Sequence, residues 1–291
     1  IPYITESYTT NDPAGNVPRA TVKQVYDAMI KDLTEALTDL PSTQSTLSLT
    51  KTRATKAAAA SLLSRVYLYK EDWASAKTIA GRVIAGEFGT FSLNASPGGV
   101  FGPGKYTTAE TIFSIPNSVN DNPNTNNALP QHYAELGRGD LTVSQLFRNS
   151  ATNPYFLADD KRRALILANT KTANAGNFYT AKYPDVATRA DWAPIIRYAE
   201  VLLNYAEASA RLASGVDADA LSKLNMVRNR SLADPTTQAY TIASFATKQD
   251  LINAILAERR IELAFEGHRY FDLKRTKQSF VRIDSDRTTQ I

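Results

Sequence analysis

A dense group of acidic and basic side chains near the end of the sequence has the residue types for metal binding or for ion pairing. Glu258, Glu262 and Glu266 recur every four residues, so on a helix they share one face. Carboxylates at this spacing hold two metal ions in some helical bundles, but those sites also use Glu-x-x-His motifs, which the sequence lacks. We therefore predict a structural network of ion pairs three residues apart: Arg259–Glu262, Glu266–Arg269 and Asp272–Arg275.

Other segments that could suggest catalysis or ion binding have simpler explanations. Asp159 and Asp160 are adjacent, whereas the two acids of a glycosidase flank the sugar from opposite faces, about 5–9.5 Å apart. We predict that they cap a helical turn or pair with Arg162 and Arg163. Residues 98–104 contain four glycines but lack the strand–turn–helix context of a P-loop. In the Asn-rich stretch 117–127, the acidic first position, the sixth-position glycine and the closing glutamate of an EF-hand calcium loop do not line up. Both are predicted to be turn-rich loops.

Aromatic and amide side chains between residues 89 and 192 have the chemistry of a carbohydrate site. Flat rings pack against the C–H faces of sugars, and amides bond the hydroxyls. The aromatic candidates are Tyr106, Tyr133, Tyr155, Phe156, Phe178, Tyr179, Tyr183 and Trp192, and the amide candidates are Asn124, Asn126, Asn153, Asn174 and Asn177. Many of these side chains are expected to be loop or core anchors. The predicted ligand-binding set is Tyr133, Tyr155, Phe156, Tyr179, Trp192 and Asn124.

The composition limits which proteins these residues can belong to. The chain has 291 residues, 43% hydrophobic and 21% charged, which suits one soluble domain over 1–291. It contains no cysteine, so disulfides and thiolate metal sites are excluded, and two histidines do not favour a histidine metal site. No cofactor is predicted. The net charge of +4 is spread among mixed signs, so nucleic acid is not an expected partner.

Helical periodicity accounts for the two ends of the chain. Residues 21–86 form one helical region, in which Thr21 and Gln24 predict a capping box and residues 55–69 and 73–85 predict a helical hairpin ended by Gly86. Residues 194–275 form a second region. There Pro194 is predicted to begin a helix to residue 212, followed by helices at 217–230 and 248–263, the last extending toward residue 273.

Between these regions, residues 89–190 read as a loop-rich insert with short elements. Thr111–Ile115 is a strand-like run, and residues 141–147 are either a short helix or extended. The predicted fold class is therefore mostly α, with tetratricopeptide-like helix pairs and a long loop-rich insertion carrying short strands. A long irregular segment in a compact domain favours a functional surface, so the insert is the candidate ligand surface.

Three segments follow one another along the chain with distinctive motifs. They are residues 53–76, which contain the alanine run and Asp72-Trp73, residues 194–230, which contain Tyr198-Ala-Glu-Val-Leu-Leu-Asn-Tyr-Ala206, and residues 255–275, which contain Ala257-Glu-Arg-Arg-Ile-Glu-Leu-Ala-Phe-Glu-Gly-His-Arg-Tyr-Phe-Asp272. Together and in this order they resemble the SusD/RagB family of outer-membrane nutrient-binding lipoproteins. The resemblance covers nearly the whole chain. It departs from the family at both ends, where a lipidated cysteine and the N-terminal helices are not seen, so we expect this chain to be the C-terminal portion of a member.

The resemblance implies a cell-surface protein of the outer membrane that captures an oligosaccharide or another nutrient without catalysis. It also implies a partner, a SusC-like TonB-dependent transporter that receives the ligand. An alternative from another class stays open, because helix pairs alone would also suit a repeat scaffold that binds a protein and no small ligand.

Overall fold

The computed structural model describes residues 2–4, 7, 17–170 and 176–279, and helices dominate it. The first helical region contains α1 (Val22–Asp39), α2 (Leu47–Thr52), α3 (Lys56–Tyr69) and α4 (Trp73–Ile84). The capping box at Thr21 is confirmed, because the Thr21 hydroxyl accepts from the Gln24 amide while the Gln24 side chain accepts from the Thr21 amide. Gly86 follows α4 with φ 82°, a conformation that favours glycine.

The second helical region starts later than its proline suggests. Its helices are α8 (Tyr198–Leu212), α9 (Ala218–Asn229), α10 (Pro235–Gln238), α11 (Lys248–Glu262) and α12 (Arg269–Arg275), with a 3₁₀ turn at Ile242–Ser244. The predicted helix start at Pro194 is wrong, because residues 193–197 form a strand. The predicted extension of α11 toward residue 273 is also wrong, since the helix ends at Glu262 and a separate helix begins at Arg269.

The insert carries short elements joined by turns. They are β1 (Thr111–Ile115), α5 (Asn124–Asn127), α6 (Leu129–Tyr133), α7 (Gln145–Arg148), a 3₁₀ helix (Lys161–Leu165), β2 (Ile166–Ala168) and β3 (Phe178–Thr180), followed by β4 (Ala193–Arg197). β1 pairs antiparallel with β4, with Ser114 opposite Pro194, and β2 pairs antiparallel with β3. The β1–β4 pairing explains the misplaced helix start, because a partner about 80 residues away, invisible to local periodicity, recruits residues 193–197.

The helices stack in sequence, and small side chains lie between them. α1 packs on α3, α3 on α4, α4 on α8, and α8 on both α9 and α11. Ala60, Ala80, Ala206 and Ala220 are fully buried in the shared core together with Leu203. Alanines at these positions let helix axes approach closely, as stacked helix pairs require. Within the described residues, no helix is long and apolar enough to cross a membrane.

Candidate ligand-binding surface

The insert is fixed to the helices by a buried cluster of ten charged side chains. Each of these side chains is at most 7% exposed, and the five cations balance the five carboxylates. The cations are Arg162, Lys182, Arg197, Arg228 and Arg230, and the carboxylates are Glu110, Asp160, Glu258, Glu262 and Glu266. The insert, β4 and the end of α9 supply the cations, and α11 and the turn that follows it supply three of the acids. The cluster therefore joins the insert to the helical scaffold.

Glu262 on α11 is the most shared carboxylate of this cluster. It pairs with Arg162 at 3.1 Å, Arg197 at 3.2 Å and Arg230 at 2.6 Å. Burial alone would raise its pKa, but the three arginines outweigh burial and lower it. Glu266 is also buried, and Arg197 and Lys182 lower its pKa to about 2. Both carboxylates are therefore ionised at neutral pH, as a balanced cluster requires.

The ion pairs predicted within the chain end are partly wrong. Glu262 pairs across elements as described above, whereas Arg259 donates to the side chain of Asn204 at 2.6 Å and pairs with Asp272 at 3.3 Å. Glu266 likewise bonds Arg197 rather than Arg269. The Asp272–Arg275 pair is confirmed at 2.7 Å. Tertiary contacts overrode local spacing because a buried charge needs several partners, which one helix face cannot supply.

Of the two adjacent acids, Asp160 caps a turn and pairs with Arg162 as predicted, whereas Asp159 does neither. The Asp160 carboxylate accepts from the Arg162 backbone amide at 2.8 Å and pairs with the Arg162 guanidinium at 2.7 Å. Asp159 accepts from the side chain of Gln238 at 2.7 Å. Arg163 instead donates to backbone carbonyls, including that of Arg148 at 2.7 Å.

An open groove on the insert is lined by a stacked pair of aromatic rings. The rings of Tyr106 and Trp192 lie 5.1 Å apart with an interplanar angle of 13°. The Trp192 indole Nε1 donates to the carbonyl of Asn117 at 3.0 Å, which fixes its orientation. The groove has a volume of about 390 Å³, within the range of small-ligand sites. We call it the Trp192 groove; its walls also include Pro103, Gly104, Val119, Asp185, Thr188 and Ala190.

Two carboxylates hold the rings and the rim of the Trp192 groove in place. Asp191 is buried; one of its oxygens accepts from the Tyr106 hydroxyl at 2.6 Å and the other from the Asp185 amide at 2.7 Å. Burial raises the pKa of Asp191, and burial together with the hydrogen bond to Asp191 raises that of Tyr106. Burial would also raise the pKa of Asp185, but hydrogen bonds from Thr188 and Ala190 lower it. The arrangement presents rings and polar rim groups in a fixed geometry.

Tyr133 and Phe156 belong to one aromatic cluster outside the Trp192 groove. The Tyr133 ring lies 5.7 Å from Tyr183 and 5.9 Å from Phe265, while Phe156 lies 5.4 Å from Phe147. Phe156 is 1% exposed, so it is an anchor of the insert in this structure. Tyr133 is half-buried and lines a second, larger groove that is described below.

Tyr155 and Tyr179 are also packed inside the molecule. Tyr155 is half-buried against two hydrophobic clusters, and its carbonyl accepts from Arg228 at 3.3 Å. Tyr179 is 4% exposed, and a Cβ added to Gly139 would lie 3.2 Å from its ring. The Tyr179 ring is therefore buried, whereas the Tyr155 ring is partly covered.

Asn124 is exposed, and its loop reaches the rim of the Trp192 groove. The Asn124 side chain accepts from the Thr125 amide at 2.8 Å, and the neighbouring Asn122 donates to the carbonyl of Thr188 at 3.3 Å. The six predicted residues therefore do not converge. Only Trp192 lines the Trp192 groove, and Tyr133 lines the second one. Asn174, from the wider set of amide candidates, lies outside the described residues.

Sequence reasoning missed the polar residues that build the Trp192 groove. Asn117, Asp185, Thr188 and Asp191 were not among the candidates. One available signal was Asp191 directly before Trp192 at the insert boundary. A second was the Asp185–Thr188 spacing typical of a side-chain-capped turn. Among the described residues, no group of three or more His, Cys, Asp or Glu side chains is placed to hold a metal ion.

Two family models match the chain in separate segments. A model described as "SusD family" matches residues 110–289, and one described as "Starch-binding associating with outer membrane" matches residues 1–68. The first match covers more than half of the chain, from Glu110 of the ionic cluster to the last helices, and it includes Trp192 but not Tyr106.

Similar proteins occur in Formosa agariphila and Bacteroides fragilis. SusD-like protein P2 of Formosa agariphila is 28% identical over 95% of this chain and 61% of its own length. A SusD superfamily protein from Bacteroides fragilis is 30% identical with a TM-score of 0.82, covering 100% of this chain and 63% of its own. Another B. fragilis structure, titled a SusD-like carbohydrate binding protein, is 25% identical with a TM-score of 0.75 and covers 95% and 62%. The chain thus spans somewhat over 60% of the length of these relatives.

Proposed function

The chain belongs to the SusD family, and on that premise we propose that it binds oligosaccharides at the surface of the outer membrane and passes them on chemically unchanged. The ligand would go to a SusC-like TonB-dependent transporter, and a lipid anchor outside this chain would hold the protein at the membrane. The stacked Tyr106–Trp192 pair in an open groove is the observation that carries the glycan part of this proposal.

The physical basis is complementarity between a flat ring and the face of a sugar. A pyranose presents C–H groups on its faces and hydroxyls at its edge, so it packs on an indole while amides and hydroxyls bond the rim. Trp192 supplies the ring, and Asn117 and Thr188 supply polar groups along the same groove. Because the indole is already fixed by its bond to Asn117, little side-chain entropy is lost when a sugar packs on it.

Two of the comparisons support a carbohydrate as the ligand class. The model that matches residues 1–68 is described as starch-binding and associating with the outer membrane. One relative at 25% identity is titled a carbohydrate binding protein. A solvent-open groove with a few rim contacts favours modest affinity, which suits a protein that must release what it captures.

The carboxylates at the Trp192 groove support the proposal that the protein does not catalyse a reaction. Both oxygens of Asp191 and both oxygens of Asp185 accept hydrogen bonds from groups of this chain. A glycosidase uses two carboxyl groups that flank the glycosidic bond, whereas Asp185 is the one acid among the described residues that line this groove. Turnover of a chromogenic glycoside panel would contradict this part of the proposal.

The test combines a glycan array with titration calorimetry on the selected oligosaccharide. We expect Trp192→Ala to weaken binding at least about tenfold, the effect of losing one stacked ring, and Trp192→Phe to restore much of it. Phe271→Ala is the matched control, because it removes a ring that is 50% exposed outside the groove. Unchanged binding in a folded Trp192→Ala variant would refute the site, and a null array would refute the glycan ligand.

The scaffold alternative has one observation in its favour. Tyr270 and Phe271 are neighbours on α12 and are 61% and 50% exposed, as at a protein contact surface. A null glycan array together with capture of a purified SusC-like transporter that Phe271→Ala abolishes would favour the scaffold.

A further inference from the structure

A second groove lies between the insert and the last two helices. We call it the cationic groove and define it by Tyr133, Thr142, Ser144, Arg260, Arg269 and Tyr270. Its volume is about 610 Å³, larger than the Trp192 groove and enough for several sugar rings. The insert contributes one wall, and α11 and α12 contribute the other.

Neither Arg260 nor Arg269 forms a salt bridge with a described residue. Burial lowers the pKa of Arg269, and the charge of Asp272 opposes that shift. The neighbouring acids are already engaged, because Asp272 pairs with Arg259 and Arg275. Burial lowers the pKa of Arg260, and the charge of Arg269 lowers it further. Two like charges that repel each other at one groove would be stabilised by an anion, and guanidinium groups bind carboxylates and sulfates with two parallel hydrogen bonds.

The cationic groove also has the neutral groups of a sugar site. Tyr133 is half-buried, and Tyr270 is exposed at the opposite wall. Thr142 and Ser144 are exposed and carry hydroxyls. Phe265, which lines the floor, holds a φ of 67°, a strained conformation for a bulky residue and one that is enriched at ligand sites.

We propose that the cationic groove is a second glycan subsite that takes an anionic oligosaccharide, with Arg260 and Arg269 bonding its carboxylate or sulfate groups. This inference rests on the proposed glycan-binding function and adds the charge class of the ligand. The Trp192 groove, with its aromatic rings, would be a separate site for uncharged sugars.

The test uses calorimetry with four probes of matched size. They are tetragalacturonate, its fully methyl-esterified form, a sulfated galactose tetrasaccharide and a tetraglutamate peptide. The variant is Arg260→Gln/Arg269→Gln, and the control is Arg53→Gln/Arg82→Gln, which removes the same charge from exposed positions elsewhere. Melting curves establish that both double variants fold.

We expect at least one of the two anionic saccharides to bind and to lose at least about tenfold in affinity in the Arg260→Gln/Arg269→Gln variant. The affinity of the control variant and of Trp192→Ala for the same saccharide should stay within about twofold of wild type. The affinity for the methyl ester should be the same in wild type and in the Arg260→Gln/Arg269→Gln variant. Whether the carboxylated or the sulfated probe responds identifies the anionic group.

Three results would overturn the inference. One is an equal loss of affinity for the anionic saccharide in both double variants, which would indicate non-specific electrostatic attraction. Another is tetraglutamate binding as tightly as the saccharides with the same arginine dependence, which would indicate an acidic polypeptide. The third is anionic saccharides failing to bind while a neutral glycan binds in a Trp192-dependent way, which would leave the proposed function intact and remove only this subsite. If no glycan binds, both the proposed function and this subsite are refuted.

Discussion

The helix pairs and the insert are held together by different forces. Between α3, α4 and α8 most contacts are small and apolar, and Ala60, Ala80 and Ala206 are fully buried there. One ion pair, Arg65–Glu200 at 2.6 Å, also joins α3 to α8. The insert meets the helices through five cations and five carboxylates. Apolar packing is insensitive to pH, whereas a buried ionic cluster depends on every member keeping its charge. The two regions should therefore respond differently to the same perturbations.

The largest effect is expected from removing the shared carboxylate of the ionic cluster. Glu262→Ala leaves Arg162, Arg197 and Arg230 with unbalanced buried charge, so the free energy of unfolding should fall by about 3–5 kcal/mol. Urea unfolding followed by circular dichroism measures it. Asp159→Asn is the control at an exposed acid and should change stability by less than about 0.5 kcal/mol. Similar values for the two variants would show that the cluster does not anchor the insert.

A smaller loss of stability is expected when the pH is lowered. The pKa of Glu266 falls to about 2 in the folded protein from an ordinary value near 4.5. A lowered folded-state pKa gives stability that is present above pH 4.5 and is lost as the pH falls toward 2. We expect a loss of about 2 kcal/mol between pH 5 and pH 3 from this one group. Urea titrations across that range in wild type and Glu266→Gln should show a flatter acid limb in the variant; parallel curves would contradict the assignment.

The smallest loss of stability is expected from shortening one buried apolar side chain between the helices. Ile79→Val in α4 removes one methylene from a buried side chain and should cost about 0.5–1.5 kcal/mol. The loss should be the same at pH 7 and pH 4, because no charge is involved. Ile115→Val, at a side chain that is 46% exposed, is the control and should be nearly neutral. A strong pH dependence of the Ile79→Val effect would mean that the two regions are not separable.

The sequence predicts the helix pairs well because their signals are local. The capping box at Thr21, the apolar spacing of α3 and α4 and the glycine after α4 each lie within a few residues of the element that they define. These signals place α3 and α4 to within one residue, whereas the short helix α2 was not predicted. The fold class, mostly helical with a strand-bearing insert, follows from the same local patterns together with their absence between residues 89 and 190.

The insert could not be predicted at the same level because its contacts are distant. The strand at residues 193–197 pairs with β1, where Ile196 lies opposite Phe113, about 80 residues away in the sequence. The acid–arginine pairs of Glu262 join residues 32 to 100 positions apart, so spacing within one helix could not identify them. The sequence around aromatic residues such as Phe156 and Trp192 does not show which ring is buried and which lines a groove. That difference depends on the tertiary fold.

The most direct test is amide hydrogen exchange of wild type and Glu262→Gln, measured side by side at neutral pH. The variant keeps the size of the side chain and removes its charge. The account predicts faster exchange in insert peptides around residues 111–115 and 178–183, while peptides from α3, α4 and the middle of α8 keep their wild-type protection. Equal loss of protection in both regions would contradict it, because the insert and the helix pairs would then open as one unit.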